Sequence, residues 1–131
     1  MNTDGGFGEH IRVPFKWILE PNPFAAAVAE KIASESSAGL ASRLSMVYGT
    51  AGLTAALCVS KLLEAGRAKP EDGKILVTGA SGGVGSISVE LLARLGFVVV
   101  AVSGKANEPS SKQKLVELGS TEVLVSGIAL L

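Results

Sequence analysis

The sequence holds a single cysteine, Cys58, and a single histidine, His10. One thiol cannot close an internal disulfide, and sparse cysteine suits a reduced, intracellular setting. One thiol and one imidazole also fall short of the three or four ligands that zinc normally takes, so no metal site is expected. His10 sits in a strand-like segment and reads as structural, which leaves no Ser-His-Asp arrangement. Nor is charge of either sign in excess. Twelve Lys and Arg meet 12 Asp and Glu for a net charge of +0, which argues against a binder of nucleic acid. Long hydrophobic runs are missing too. The apolar stretch Met46 to Val59 is broken by glycine and threonine and is too short for a bilayer. Met1 to Gly6 has neither the basic start nor the apolar centre of a signal peptide. These absences point to a soluble, cytoplasmic protein with no membrane partner.

What is present is apolar enough, at 47% of 131 residues, to build one core. The informative stretch is Lys74-Ile-Leu-Val-Thr-Gly-Ala-Ser-Gly-Gly-Val-Gly85. Ile75 to Val77 reads as a buried parallel strand, and a helical pattern follows the glycines. Strand, glycine turn and helix make a phosphate cradle. The helix start offers unpaired N–H groups to an anion, and Gly83 and Gly85 are expected to keep side chains out of the pyrophosphate's position. Ala80 stands where a strict G-x-G-x-x-G pattern has its first glycine. A glycine turn without a ligand is the plainer alternative. The apolar run Phe97 to Val102 weighs against it, since it supplies the second strand of a βαβ unit.

Along the chain, Gly5 to Pro14 and Phe15 to Leu19 read as short strands. Asn22-Pro23 starts a helix with Phe24, Val28 and Ile32 as its apolar stripe, and Ser34 to Gly39 reads as a loop. Leu40 to Val47 suits another short helix. Thr50 to Ala65 predicts a long helix with Leu53, Leu57, Leu62 and Leu63 on its buried side and Gly66 as its C-cap. Arg67 to Gly73 is a polar linker. Ile87, Val89, Leu91, Leu92 and Leu95 line the helix after the glycine turn, which Gly96 ends. Asn107 or Ser110 is expected to cap a further helix reaching Leu118, and Glu122 to Val125 is the third strand. The fold class is therefore α/β. It is a Rossmann-type half-sheet, βαβαβ, preceded by helices and a short β segment.

Three segments carry a resemblance: Gly49-Thr-Ala-Gly-Leu-Thr-Ala-Ala-Leu-Cys-Val59, Val77-Thr-Gly-Ala-Ser-Gly-Gly-Val-Gly85 and Ser103-Gly-Lys105. Together they resemble the medium-chain dehydrogenase/reductase superfamily, on its zinc-independent quinone oxidoreductase and acryloyl-CoA reductase branch. Gly5 to Pro14 is similar, more loosely, to a strand of that family's GroES-like domain. The resemblance implies a partial GroES-like catalytic domain with a helical insertion over residues 1–48. Residues 49–131 would then be a partial NAD(P)-binding Rossmann domain. The family's chains are far longer, so a fragment, a truncated reading frame or a degenerate paralogue is expected. The resemblance also implies a small-molecule substrate, a quinone or an enoyl-CoA. The family is often homodimeric, but its dimerising part has no counterpart here.

The resemblance assigns Ser81, Gly82, Gly83 and Val84 to the cofactor pyrophosphate, and Gly85 of the same glycine turn is counted with them as cofactor-binding. It assigns Ser103, Gly104 and Lys105 to the adenosine ribose phosphate, and Thr54 to the nicotinamide side. It carries over no catalytic residue. An NAD site usually has an acid about 20 residues past the glycines. Here none occurs between Ser103 and Glu108. A hydroxyl and a lysine suit a 2′-phosphate, so NADPH is the expected cofactor; the plainer and weaker alternative is that Lys105 is a solvated loop lysine. The glycine pattern also fits short-chain dehydrogenases. They need a Tyr-x-x-x-Lys pair downstream, and the only tyrosine, Tyr48, lies upstream. A fragment that binds nucleotide without turnover is the non-enzymatic alternative.

Overall fold

The computed structural model describes residues 12–17, 49–64, 66 and 68–127. The expected helices after Asn22 and Leu40, the loop between them, His10 and most of the first strand lie outside the described residues. The chain divides into two compact units, Met1–Ala41 and Ser42–Leu131. In the first unit the described part is short. Phe15–Trp17 form a single turn of 3-10 helix, not the strand expected there. Pro14, just before it, has no N–H for a ladder and favours a turn.

The second unit is the α/β half-sheet that the spacing predicts. Its elements are α1 (Thr50–Glu64), β1 (Lys74–Thr78), α2 (Gly83–Arg94), β2 (Val98–Ser103), α3 (Pro109–Glu117) and β3 (Glu122–Val125). The three strands are parallel in the order β1-β2-β3. Lys74 pairs with Val98 and Thr78 with Val102 across the first ladder, and Val100 pairs with Glu122 across the second.

Register and pleat together put Ile75, Val77, Val99, Ala101 and Val123 on one face of the sheet. These residues share a core with Val89 and Leu92 of α2, Leu115 of α3 and Val59 of α1. Each fully buried branched side chain there is worth about 1.5–3 kcal/mol in transfer from water. The opposite face carries Leu76 and Val98, both exposed. There Lys74 Nζ meets Glu122 Oε2 at 2.9 Å, which ties the outer strands across β2.

Two packing details depart from the apolar pattern of the sequence. On α1 the buried residues are Gly52, Ala55 and Val59, while Leu53 and Leu57 are each 60% exposed and Leu63 is also exposed. Of the leucines expected inside, Leu62 alone packs against the core. Small residues win that side because α1 and α2 approach closely: a Cβ added to Gly83 would lie 3.3 Å from the Ala51 Cβ. On α2, Val89 and Leu92 are buried but Leu95 is exposed, because the helix ends before it at Arg94. The start of α3 differs as well. Its N-cap is Glu108, with Pro109 in the first turn, and no side chain caps it. Proline suits that first turn because its missing N–H would have had no helical partner.

Candidate functional site

The site is built where β1 ends and α2 begins. Gly79 takes φ +61, a left-handed conformation that a side chain would strain. The chain then turns sharply, and the Gly82 N–H closes the turn on the Gly79 carbonyl at 2.9 Å. The Ala80 N–H donates to the Val102 carbonyl at 3.0 Å, so the turn is stitched to β2 beyond the last paired residue of β1. Ala80 is 0% exposed and belongs to the core. The departure from the strict glycine pattern is thereby explained: the methyl at this position points into the core and fills space there.

Gly85 is glycine because of a close approach. An added Cβ would fall 2.3 Å from the Gly79 carbonyl oxygen and 2.8 Å from the Ala80 Cα. The added atom at Gly83 would face Ala51 of α1. At both positions the added atom meets protein, which gives these glycines a packing role beside the one expected of them at the pyrophosphate. Gly85 lets the first turn of α2 seat against the glycine turn, and Gly83 lets α1 seat against α2. The cradle follows from that seating.

No side chain caps α2, whose N-cap is Gly82. The N–H groups of Gly83, Val84 and Gly85 lie in the first turn, where no helical carbonyl can accept from them. Gly82, Gly83 and Val84 are exposed. This end of α2 therefore presents several N–H donors and the positive end of the helix dipole to solvent, the arrangement that suits a phosphate.

The tip of β2 forms the second part of the site. Ser103 is 2% exposed, and its Oγ donates to Ser81 Oγ at 2.7 Å. The Lys105 N–H donates to Ser103 Oγ at 3.0 Å. Gly104 and Lys105 are exposed, and Lys105 has no ion-pair partner among the described residues. The next acid, Glu108, accepts from Ser111 Oγ at 2.9 Å. The glycine turn and the β2 tip thus meet through two serines, and Lys105, two residues past Ser103, is without an ion-pair partner among the described residues.

Thr54 stands apart. It is exposed on α1, and its Oγ1 donates to the Thr50 carbonyl at 2.7 Å. Among the described residues no group of three or more His, Cys, Asp or Glu could hold a metal ion, and no helix is long and apolar enough to cross a membrane. The Ser81–Ser103 bond was not foreseen from the sequence. A hydroxyl in the turn and another at the tip of the next strand were its only signal.

The donor set fits the phosphates of a dinucleotide: uncapped N–H groups, a serine hydroxyl in an exposed residue of the turn and a lysine with no ion-pair partner among the described residues. No protein-family model matches the chain. It is 45% identical over 123 residues to the probable acrylyl-CoA reductase AcuI of Escherichia coli, covering 94% of this chain and 32% of that protein. The putative quinone oxidoreductase YhfP of Bacillus subtilis is 40% identical over 124 residues, covering 95% of this chain and 32% of that protein. The crystal structure of YhfP, with NAD bound, superposes with a TM-score of 0.56 at 48% identity, covering 62% of this chain and 23% of that one. The yhdH oxidoreductase of Salmonella enterica, in complex with NADP, gives a TM-score of 0.59 at 51% identity, covering 69% and 26%. The chain spans about a third of the length of the curated relatives it matches. Over that shared third it belongs to the medium-chain dehydrogenase/reductase superfamily, on the branch of the quinone oxidoreductases and acrylyl-CoA reductases.

Proposed function

We propose that this chain carries the cofactor-phosphate segment of an NADPH-dependent reductase whose substrate is a quinone or an enoyl-CoA such as acrylyl-CoA. The observation that carries the reading is the acid-free tip of β2, with Lys105 exposed and unpaired among the described residues beside an uncapped helix start. In this reading Gly83, Val84 and Gly85 give their N–H groups to the pyrophosphate, and Ser81 adds a hydroxyl. Ser103, Gly104 and Lys105 surround the adenosine ribose, where Lys105 meets a 2′-phosphate that a carboxylate would repel. Thr54 lies toward the nicotinamide end, and residues 1–48 correspond to part of a GroES-like domain. The relatives bound to NADP and to NAD support a nicotinamide cofactor of either kind, and the β2 tip favours the phosphorylated one. The bound dinucleotide would supply a hydride.

A second reading has a specific observation behind it. Of the residues that the resemblance assigns to the cofactor, Thr54 alone belongs to the nicotinamide side, and its hydroxyl donates to the Thr50 carbonyl. Hydride transfer needs reacting atoms held roughly 3–3.5 Å apart. In that reading the 131-residue chain binds nucleotide without turnover. One experiment separates the two: NADPH oxidation by the full chain, with acrylyl-CoA and with a simple quinone. Turnover near 1 s⁻¹ or faster, within the ordinary range of enzymes, establishes the reductase, while NADPH binding without turnover leaves the binding segment.

A further inference from the structure

We propose that Asp72–Gly73, at the entrance to β1, is a site of spontaneous backbone modification, where the aspartyl bond converts to an isoaspartyl bond through a cyclic imide. The inference is independent of the cofactor reading. The chain has two aspartates, Asp4 and Asp72, and glycine follows each. Asp4 lies outside the described residues. Asp72 closes the 3-10 turn Pro70–Asp72, and both Asp72 and Gly73 are exposed. Ring closure needs an unhindered amide nitrogen next to the carboxyl. Gly73 supplies it. It has no side chain to shield the nitrogen, an added Cβ would meet nothing within 4 Å, and its N–H has no hydrogen-bond acceptor among the described residues. The Gly73 nitrogen attacks Asp72 Cγ. The N–Cγ bond forms, the Cγ–O bond breaks, and the oxygen leaves as water with the amide proton and one proton from solvent. Water then opens the ring. Opening at Cγ restores aspartate. Opening at the Asp72 backbone carbonyl leaves the chain running through the side chain, one carbon longer, with a new α-carboxylate.

One bond stands against closure. The Lys69 N–H donates to Asp72 Oδ2 at 2.8 Å, which holds the carboxylate back over the turn, and that bond is exposed. The backbone bond of the turn, from the Asp72 N–H to the Lys69 carbonyl at 3.0 Å, lies on the other side of the Asp72 Cα and need not break when ψ of Asp72 rotates. Gly73 takes φ +120 and ψ −151 in open space. A glycine has wide freedom there, so it absorbs that rotation while β1 keeps its pairing with β2. The turn therefore slows the reaction by the worth of one exposed hydrogen bond, about tenfold. Conversion lengthens the backbone immediately ahead of Lys74, whose side chain bonds Glu122 and ties β1 to β3.

The test incubates the full 131-residue chain at neutral pH and physiological temperature beside the synthetic peptide Lys69–Leu76, with the fold followed by circular dichroism. Mass does not change on conversion. It is read instead by peptide mapping with electron-transfer fragmentation, and by lost cleavage before residue 72 with a protease that cuts ahead of aspartate but not of isoaspartate. The folded chain should convert at Asp72 within about tenfold of the peptide's rate. A minority of unfolded molecules is too small to sustain that rate. Asp72→Glu should keep the fold and show no conversion at that position, because the ring it would need is larger and closes far more slowly. Conversion in the folded chain more than about tenfold slower than in the peptide would mean that the turn withholds the carboxylate from Gly73, and would overturn the proposal. Conversion at Asp4 alone would overturn it too.

Discussion

Replacing Gly85 by alanine tests how the cradle is built. Ordinarily a glycine-to-alanine change inside a helix stabilises it by about 1 kcal/mol. Here the added methyl would lie 2.3 Å from the Gly79 carbonyl oxygen and 2.8 Å from both the Gly79 carbonyl carbon and the Ala80 Cα. All three neighbours are backbone, so no side chain can rotate away. Ala80 itself is held by its bond to Val102 and by the core. Overpacking of this kind costs typically 1–3 kcal/mol, and immovable neighbours place it at the upper end. Subtracting the helix gain leaves a net loss of about 2 kcal/mol. For a unit of this size that lowers the melting temperature by roughly 8–16 °C. The assay is thermal and urea denaturation of the full chain followed by circular dichroism. Gly104→Ala, where an added Cβ meets nothing within 4 Å, is the matched control and should stay within about 0.5 kcal/mol of wild type. Gly85→Ala as stable as that control would refute the close-approach argument and leave Gly85 with the ligand-clearing role alone.

Further outcomes follow from other parts of the molecule. Lys105→Ala should weaken NADPH more than NADH by about 1–2 kcal/mol, read by titration with both; equal losses would move the 2′-phosphate contact elsewhere. Leu115→Ala, at a side chain 2% exposed, should cost about 2–5 kcal/mol in urea denaturation. Leu53→Ala, on the exposed side of α1, should stay within about 0.5 kcal/mol, and a core-sized loss there would contradict the orientation of that helix. Glu122→Ala breaks the pair with Lys74, which is solvent-exposed at both ends, and should cost no more than about 1 kcal/mol, less in high salt.

The sequence made the strands legible because each is a short apolar run bounded by turn residues. Val98–Ser103 was foreseen within one residue at each end, and Glu122–Val125 without any shift. The glycine turn was legible for the same local reason. The inner side of α1 was not. Leucines at helical spacing outweigh glycine and alanine in an apolar pattern, yet Gly52 and Ala55 face the crossing, where backbone proximity is the stronger demand. Glycine roles were hidden likewise. Which way a missing Cβ would have pointed depends on Ala51 and Gly79, and spacing alone carries no direction. The Ser81–Ser103 bond joins residues 22 apart and exists only because β2 lies beside β1.

The bond from the Ala80 N–H to the Val102 carbonyl has a consequence for motion. Ala80 belongs to a loop by conformation but is buried and tied to the middle strand. Its amide should therefore exchange with deuterium as slowly as those of β2 and open only when the sheet itself opens. The first amides of α2, which lack such an acceptor, should exchange fast. A bound dinucleotide would slow those amides and leave Ala80 unchanged, since its order is already complete. The phosphate turn therefore fluctuates with the sheet, and little of its conformational freedom remains to be lost when a ligand arrives.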